Sequence, residues 1–218
     1  MGQFITFEGI EGSGKTTQIR MAGKYLKRHH IPFLITSEPG GTPLGRKIKK
    51  ILLNRGSYGI CAEAEVLLFS AARVQHVRDV ISPALSEGKI VLCDRFSDST
   101  LVYQGFGRGL DPHFIRELND FTSAGLKLDL TIVFDLPVEI GLRRAMERMR
   151  LAGSAAPDRF EGEDLEFHKR IREGYLLLAK QEPGRFRVID SAKDIISINR
   201  EVCSCLRGRG LMPGKHEC

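Results

Sequence analysis

The chain has little of what would mark it for a membrane, for export or for a metal cluster. No apolar run reaches the ~18 residues needed to cross a bilayer, so no membrane association is expected. The opening MGQFITFEG has no basic stretch followed by an apolar segment and a small-residue cleavage site. No secretory signal is expected from it. The myristoylation pattern is met only formally, by Thr6, which sits in a run that reads as buried. Five cysteines (Cys61, Cys93, Cys203, Cys205 and Cys218) are an odd and scattered set, with no C-x-x-C pair. That argues against zinc and against a disulfide framework, and for reduced thiols in a cytoplasmic protein. Internal repeats and long low-complexity linkers are lacking too.

What is present is an ordinary globular mixture. The 218 residues are 42% apolar and 28% charged, which excludes wholesale disorder and fits one domain with a sizeable core. Lys and Arg number 33 against 27 acidic residues, a net charge of +6. That excess suits nucleic acid, a small polyanionic substrate, or nothing in particular.

Short apolar runs alternate with longer helical patterns. Phe4 to Phe7, Phe33 to Thr36, Ile90 to Cys93, Leu130 to Phe134 and Arg187 to Ile189 read as strands. Several are nearly continuous in apolar character, as in strands buried on both faces of a parallel sheet. Thr17 to His29, Ala62 to Ser86, Val138 to Arg150 and Leu165 to Ala179 read as helices. In the second of these Val66, Phe69, Val74, Val77, Ile81 and Leu85 recur at roughly helical spacing. The alternation predicts an α/β fold of three layers. The small-residue stretch from 151 to 157 interrupts two helices, with Arg143, Arg144, Arg148, Arg150 and Arg159 around it. Residues 1 to 207 read as one domain, and 208 to 218 as a flexible tail.

The strongest motif is Gly9-Ile-Glu-Gly-Ser-Gly-Lys-Thr16, a full G-x-x-x-x-G-K-[ST] phosphate loop between a strand and a helix. Its glycines let backbone N–H groups turn inward around a phosphate. The following helix N-terminus adds partial positive charge. Gly9, Glu11, Gly12, Ser13, Gly14, Lys15, Thr16 and Thr17 are therefore the candidate nucleotide-binding set. Lys15 is placed to reach the β- and γ-phosphates, and Thr16 to hold Mg²⁺ through its hydroxyl. A phosphate loop identifies a nucleotide, not a reaction. Glu11 is odd inside it, since like charges ~4 Å apart cost about 4 kcal/mol at an effective dielectric near 20. It is expected to turn away, toward a second substrate's hydroxyl or toward solvent.

The apolar run Ile90 to Cys93 ends in Asp94-Arg95. Strand ends beside a phosphate loop are where α/β folds place ligand contacts. Asp94 is a candidate for the Mg²⁺ shell. Arg95 is a candidate phosphate clamp. An internal Asp–Arg pair is the plainer alternative.

These residues belong to a longer ordered set. Phe7 to Thr17, Glu38-Pro-Gly-Gly-Thr-Pro-Leu-Gly45, Phe69-Ser-Ala-Ala-Arg-Val-Gln-His-Val77, Asp94 to Gly105 and Asp158-Arg-Phe-Glu161 together resemble the bacterial thymidylate kinases, from about Phe4 to Asp190. The resemblance implies a P-loop nucleoside-monophosphate-kinase fold with a parallel five-stranded sheet and a short lid at about 148 to 159. It implies transfer of a phosphoryl group from ATP to dTMP, with Mg²⁺ as cofactor, by a homodimer using the 62 to 86 helix. It places Arg95 on the dTMP phosphate, Arg73 and Gln104 at the thymine, Phe69 stacked on that base and Tyr103 beside C2′, with Glu38 and Ser99 in the acceptor site. Glu11 would meet the 3′-hydroxyl. Arg148 and Arg150 are the lid arginines expected to reach the transferring group, because the phosphate loop itself carries no Arg.

The chain departs from the family pattern at Ser37, usually Arg, at Arg46, usually acidic, and at Phe96, usually Tyr. A basic charge moved from 37 to 46 is one reading of the first two. Rival functions are another nucleotide kinase of the same fold, a GTP-binding switch protein and a nucleic-acid-binding ATPase. Against the second, no Asn-Lys-x-Asp or Asp-x-x-Gly motif stands out. Against the third, the basic residues gather around the expected lid, with no aromatic–basic stacking pattern.

Overall fold

A computed structural model describes residues 2–54, 59–151, 153 and 157–210. Five strands form one sheet: β1 (Gln3–Glu8), β2 (Phe33–Ser37), β3 (Ile90–Asp94), β4 (Leu130–Asp135) and β5 (Phe186–Asp190). Their order is β2-β3-β1-β4-β5 and every pairing is parallel. Each strand expected from the sequence is present, longer by one or two residues.

β1 is central, and its alternation sets the architecture. Ile5 and Phe7 join a core with Ile19, Leu26, Ile198 and Val202. These come from α1 (Lys15–Arg28) and α9 (Ile195–Gly208). Phe4 faces the other side, with Val77, Ile81 and Phe96. The period of two therefore places Thr6 and Glu8 on that second face as well. Phe7 stacks on Phe134 of β4 with centroids 5.8 Å apart, and burial of each such ring contributes about 1.5–3 kcal/mol.

The second face is covered by α3 (Ala62–His76), a π-helical turn (Val77–Ile81), α4 (Ser82–Ser86) and α8 (Leu165–Gln181). The predicted 62 to 86 helix is thus continuous, but its middle is not α-helical. The N–H of Ser82 reaches back to Val77 O, just before Pro83, which has no N–H to offer. α7 (Val138–Leu151) and α8 match the predicted helices closely.

Four helices lie where the sequence reading placed none: α2 (Pro43–Leu53), α5 (Ser97–Thr100) with the π-helical turn Leu101–Gly107 behind it, α6 (Pro112–Thr122) and α9. α2 has a hidden start signal. The Thr42 hydroxyl accepts the Gly45 N–H at 2.9 Å, with Pro43 following it. The π-helical stretch breaks the 3.6 period, so Val102, Tyr103 and Gln104 are all buried in succession.

Cys61, Cys93 and Cys205 carry free thiols. No described helix is long and apolar enough to cross a membrane. Of the expected tail, residues 211 to 218 lie outside the described residues, as do parts of the 151 to 157 stretch.

Candidate active site

The C-terminal ends of β1 and β3 lie side by side, Phe7 pairing with Asp94. That brings the phosphate loop and the Asp94-Arg95 corner to one edge of the sheet. Between them opens a cavity of about 530 Å³.

The loop follows β1 directly. Gly9 (φ 137°) and Gly12 (φ 69°) hold backbone that other residues rarely adopt. A Cβ on Gly9 would lie 2.6 Å from Phe134 O, and one on Gly12 would lie 2.1 Å from Gly141 O. Only glycine fits this close approach to β4 and α7. Gly14 caps α1 without a side-chain hydrogen bond, leaving the first N–H groups of that helix to serve an anion.

Lys15 Nζ donates to Gly9 O (3.0 Å), Ile10 O (2.8 Å) and Ser13 Oγ (3.3 Å). Burial, then the positive charge of Arg95, pull its ammonium down to about 8. A phosphate beside it would reverse that shift. The Thr16 hydroxyl donates to Asp94 Oδ2 at 2.8 Å. Both side chains line the cavity, and among the described residues no group of three or more His, Cys, Asp or Glu assembles for a metal. A hard-oxygen pair at a phosphate loop fits Mg²⁺, which takes one or two protein ligands and completes its shell with water and phosphate oxygens.

Glu11 is turned away from the loop. Its Oε1 accepts Arg95 Nη2 at 2.9 Å and the Tyr103 hydroxyl at 2.6 Å. His168 Nδ1 is 3.5 Å from Glu11 Oε2, too long for a full hydrogen bond. Neither ring nitrogen of this buried histidine has a hydrogen-bond partner among the described residues. Burial works to raise the Glu11 carboxyl. The His168 imidazole, Arg95, Lys15 and the Tyr103 hydroxyl outweigh it and hold the group well below the usual carboxylate range.

Arg95 leaves β3 in a left-handed conformation, φ 70°, which costs a non-glycine residue about 1–2 kcal/mol. Its guanidinium lies 4.8 Å from the Tyr103 ring centroid. Nη1 donates to Ser99 Oγ (3.3 Å) and to the Tyr175 hydroxyl (3.2 Å). Behind both hydroxyls stands Glu8, fully buried. It accepts from Ser99 Oγ (2.6 Å), the Tyr175 hydroxyl (2.8 Å) and the Phe96 N–H (2.8 Å). Burial, then Asp98, push Glu8 up to about 7. The sequence reading passed over Glu8, His168 and Tyr175. An acid at the last position of a buried strand was the one available signal for Glu8.

Deeper in the cavity Arg73 is 1% exposed. Nε donates to Glu38 (2.8 Å), Nη1 to Asn119 (2.6 Å) and Nη2 to Thr100 (2.7 Å). Two of its five N–H groups remain for a ligand. Glu38 also meets His76 Nδ1 at 3.0 Å. Phe69 lines the cavity half-buried. Phe96 packs edge-on against Phe4 at 4.8 Å and lies under the Arg73 guanidinium, an apolar seat with no use for a phenolic oxygen.

Gln104 lines the cavity, but its amide donates to Glu65 Oε1 at 2.7 Å. Glu65 also pairs with Arg108 and Arg159. Arg159 in turn holds Leu52 O at 2.9 Å, so the end of the expected lid is anchored to α2 and α3. Arg148 reaches the cavity and bonds Glu161 Oε1 at 2.8 Å. Arg150 is exposed and does not line it. Ser37 lines the cavity whereas Arg46 stands exposed on α2, away from it.

Comparison with known proteins agrees with the geometry. The family profile described as Thymidylate kinase matches residues 7–202. A thymidylate kinase of Syntrophus aciditrophicus is 60% identical over 204 residues, 93% of this chain and 93% of that protein. One of Desulfovibrio desulfuricans is 50% identical, over 95% of this chain and 99% of its own. The crystal structure of thymidylate kinase from Ehrlichia chaffeensis superposes with a TM-score of 0.73 at 34% identity, covering 94% of this chain and 98% of that one.

Proposed function

The chain belongs to the thymidylate kinase family, and from that premise we propose that it transfers the γ-phosphoryl group of ATP to dTMP, giving dTDP and ADP for dTTP synthesis. The observation that carries the residue assignment is the meeting of Lys15, on the phosphate loop, and Arg95, at the end of β3, in one cavity.

The loop from Gly9 to Thr17 takes the ATP phosphates, with Lys15 on the β- and γ-groups. Thr16 and Asp94 would hold Mg²⁺, which when bound neutralises charge on those phosphates. Arg95 takes the dTMP phosphate. An oxygen of that phosphate attacks Pγ in line. The bond from Pγ to the β–γ bridging oxygen breaks, and ADP leaves with the electron pair. The attacking oxygen is anionic near neutral pH, so no general base is required. The protein's part is positioning and countercharge, from Lys15, Arg95 and Arg148. A lid at about 148 to 159 shields the transfer from water. Arg150 is the second lid cation, and its exposed position makes Arg148 the stronger choice.

Arg73 offers its remaining N–H groups to the thymine, Phe69 stacks on that ring, and Tyr103 closes the space beside C2′. Glu38 and Ser99 act on the acceptor side by holding Arg73 and Arg95. Gln104 faces the base. Glu11 receives the 3′-hydroxyl on its carboxylate, beside the contacts of Oε1 with Arg95 and Tyr103. A charged hydrogen bond of that kind contributes about 1.5–3 kcal/mol.

The working protein is read as a cytoplasmic homodimer of kinase domains spanning 1 to 207. Support for a dimer comes from the exposed apolar Leu67 and Val74 on α3 and Phe114 and Phe121 on α6. The excess positive charge serves ATP and dTMP and not nucleic acid. The test is turnover of a panel of nucleoside monophosphates with ATP and Mg²⁺. dTMP is expected as the preferred acceptor, and preference for another would overturn the reading.

A further inference from the structure

We infer that Glu8 is a positioning residue for the acceptor site: its carboxylate fixes both the backbone and the side chain of Arg95. The inference rests on the reading that Arg95 holds the phosphate of dTMP.

The backbone argument starts from strain. Arg95 is left-handed (φ 70°) without being glycine, so something must hold it there. Its own N–H donates to Phe7 O at 3.1 Å. The next N–H, of Phe96, donates to Glu8 Oε1 at 2.8 Å. The two hydrogen bonds clamp the corner to the end of β1 on either side of the strained φ. If the Glu8 carboxylate were absent, the buried Phe96 N–H would lose its acceptor and the corner would be free to relax.

The side-chain argument concerns where protons point. Glu8 Oε2 lies 2.6 Å from Ser99 Oγ and 2.8 Å from the Tyr175 hydroxyl. The two hydroxyl oxygens are 2.8 Å from each other. When ionised, the Glu8 carboxylate only accepts, so it draws the O–H hydrogens inward. The hydroxyl oxygens then turn lone pairs toward Arg95 Nη1, at 3.3 and 3.2 Å. Nη2 is fixed from the other side by Glu11. The guanidinium is thus aimed by two carboxylates, one in contact and one through a pair of hydroxyls. The charged groups facing Glu8 are Asp98 of α5 and Arg95 itself, with Lys15 of α1 feeling its charge from the loop.

Glu8→Gln is the informative change. It keeps the shape and can still accept the Phe96 N–H. Its amide, however, donates to the hydroxyls where the carboxylate accepted. One O–H is then driven to face Nη1, and the lone-pair cradle is lost. Stability should not suffer, because a carboxylate pushed up to about 7 by burial is an unfavourable charge to bury. A purely structural Glu8 would show the reverse pattern, lower stability with substrate affinities unchanged.

The experiment is steady-state kinetics of the full chain with dTMP and ATP varied in turn, alongside thermal unfolding, for wild type, Glu8→Gln, Tyr175→Phe and Arg95→Ala. Losing a charge-assisted hold of this kind is expected to raise the KM for dTMP ~10-fold or more in Glu8→Gln. The KM for ATP should stay within about twofold and the Tm should be equal or higher. Tyr175→Phe removes one hydroxyl of the pair and should raise the dTMP KM alone, by less. If the Glu8 variant does not fold, Tyr175→Phe carries the test. An unchanged dTMP KM in Glu8→Gln, with a raised one in Arg95→Ala, overturns this inference and leaves the acceptor assignment standing. An unchanged dTMP KM in Arg95→Ala overturns the assignment beneath it. A fall in Tm with dTMP and ATP affected alike also overturns the inference.

Discussion

The carboxylate of Glu11 meets the guanidinium of Arg95 at 2.9 Å across the mouth of the cavity. This contact explains how an acidic residue sits inside a phosphate loop. Its charge is spent on the residue that faces the acceptor phosphate, not on the ATP phosphates. Glu11→Ala should leave Arg95 without its charged partner and remove the candidate 3′-hydroxyl acceptor together. Loss of both is expected to lower kcat/KM for dTMP by about two orders of magnitude or more. Comparing dTMP with its 3′-deoxy analogue checks the second part, since the analogue should lose less than dTMP in the variant.

Glu11 on the phosphate loop and Glu8 at the end of β1 predict opposite pH dependences of stability. Glu11 is held well below its unfolded value. Its stabilising contribution is present above the ordinary carboxylate range and is lost on acidification. Glu8 is raised from 4.5 to about 7. Its folded form keeps a proton that the unfolded chain has released, so its contribution is full below about 4.5 and is lost as pH rises to about 7. That difference corresponds to about 3 kcal/mol. Glu8→Gln should therefore gain stability over wild type at pH 7.5 and little at pH 4.5, measured by urea unfolding at both. A gain independent of pH would contradict the assignment.

Tyr103 is both wall and donor. Its ring packs among Phe160, Phe167 and Tyr175, and its hydroxyl bonds Glu11. Tyr103→Ala should open the space beside C2′ and reduce the preference for a deoxyribose over a ribose acceptor at least tenfold. Tyr103→Phe should keep that preference, because the ring remains. The ratio of kcat/KM values for the two sugars is the measurement.

These side chains were unequally legible in the sequence. The phosphate loop, Asp94-Arg95 and all five strands are local patterns, readable because a glycine spacing or an apolar run suffices. Glu8 could be placed on a strand face by alternation. Its partners Ser99 and Tyr175 lie 91 and 167 residues away, and no periodicity links them. The 97 to 107 segment stayed unread because π-helical geometry buries consecutive residues and erases the helical spacing. Gln104 and Arg159 converge on Glu65, a residue whose helix was foreseen and whose burial was not.

The thymine methyl gives a smaller effect. Its packing contributes about 1 kcal/mol, so dUMP should be disfavoured about fivefold in kcat/KM. Discrimination of many orders of magnitude would require a polar contact to the base edge that differs between the two.

The most direct test of the account is the acceptor preference of the purified full chain with ATP and Mg²⁺, read as the nucleoside diphosphate formed from each of a panel of monophosphates. The account predicts dTDP as the favoured product in wild type and its near-complete loss in Arg95→Ala. Favoured turnover of a purine or ribose monophosphate, or undiminished dTDP formation by Arg95→Ala, would contradict it.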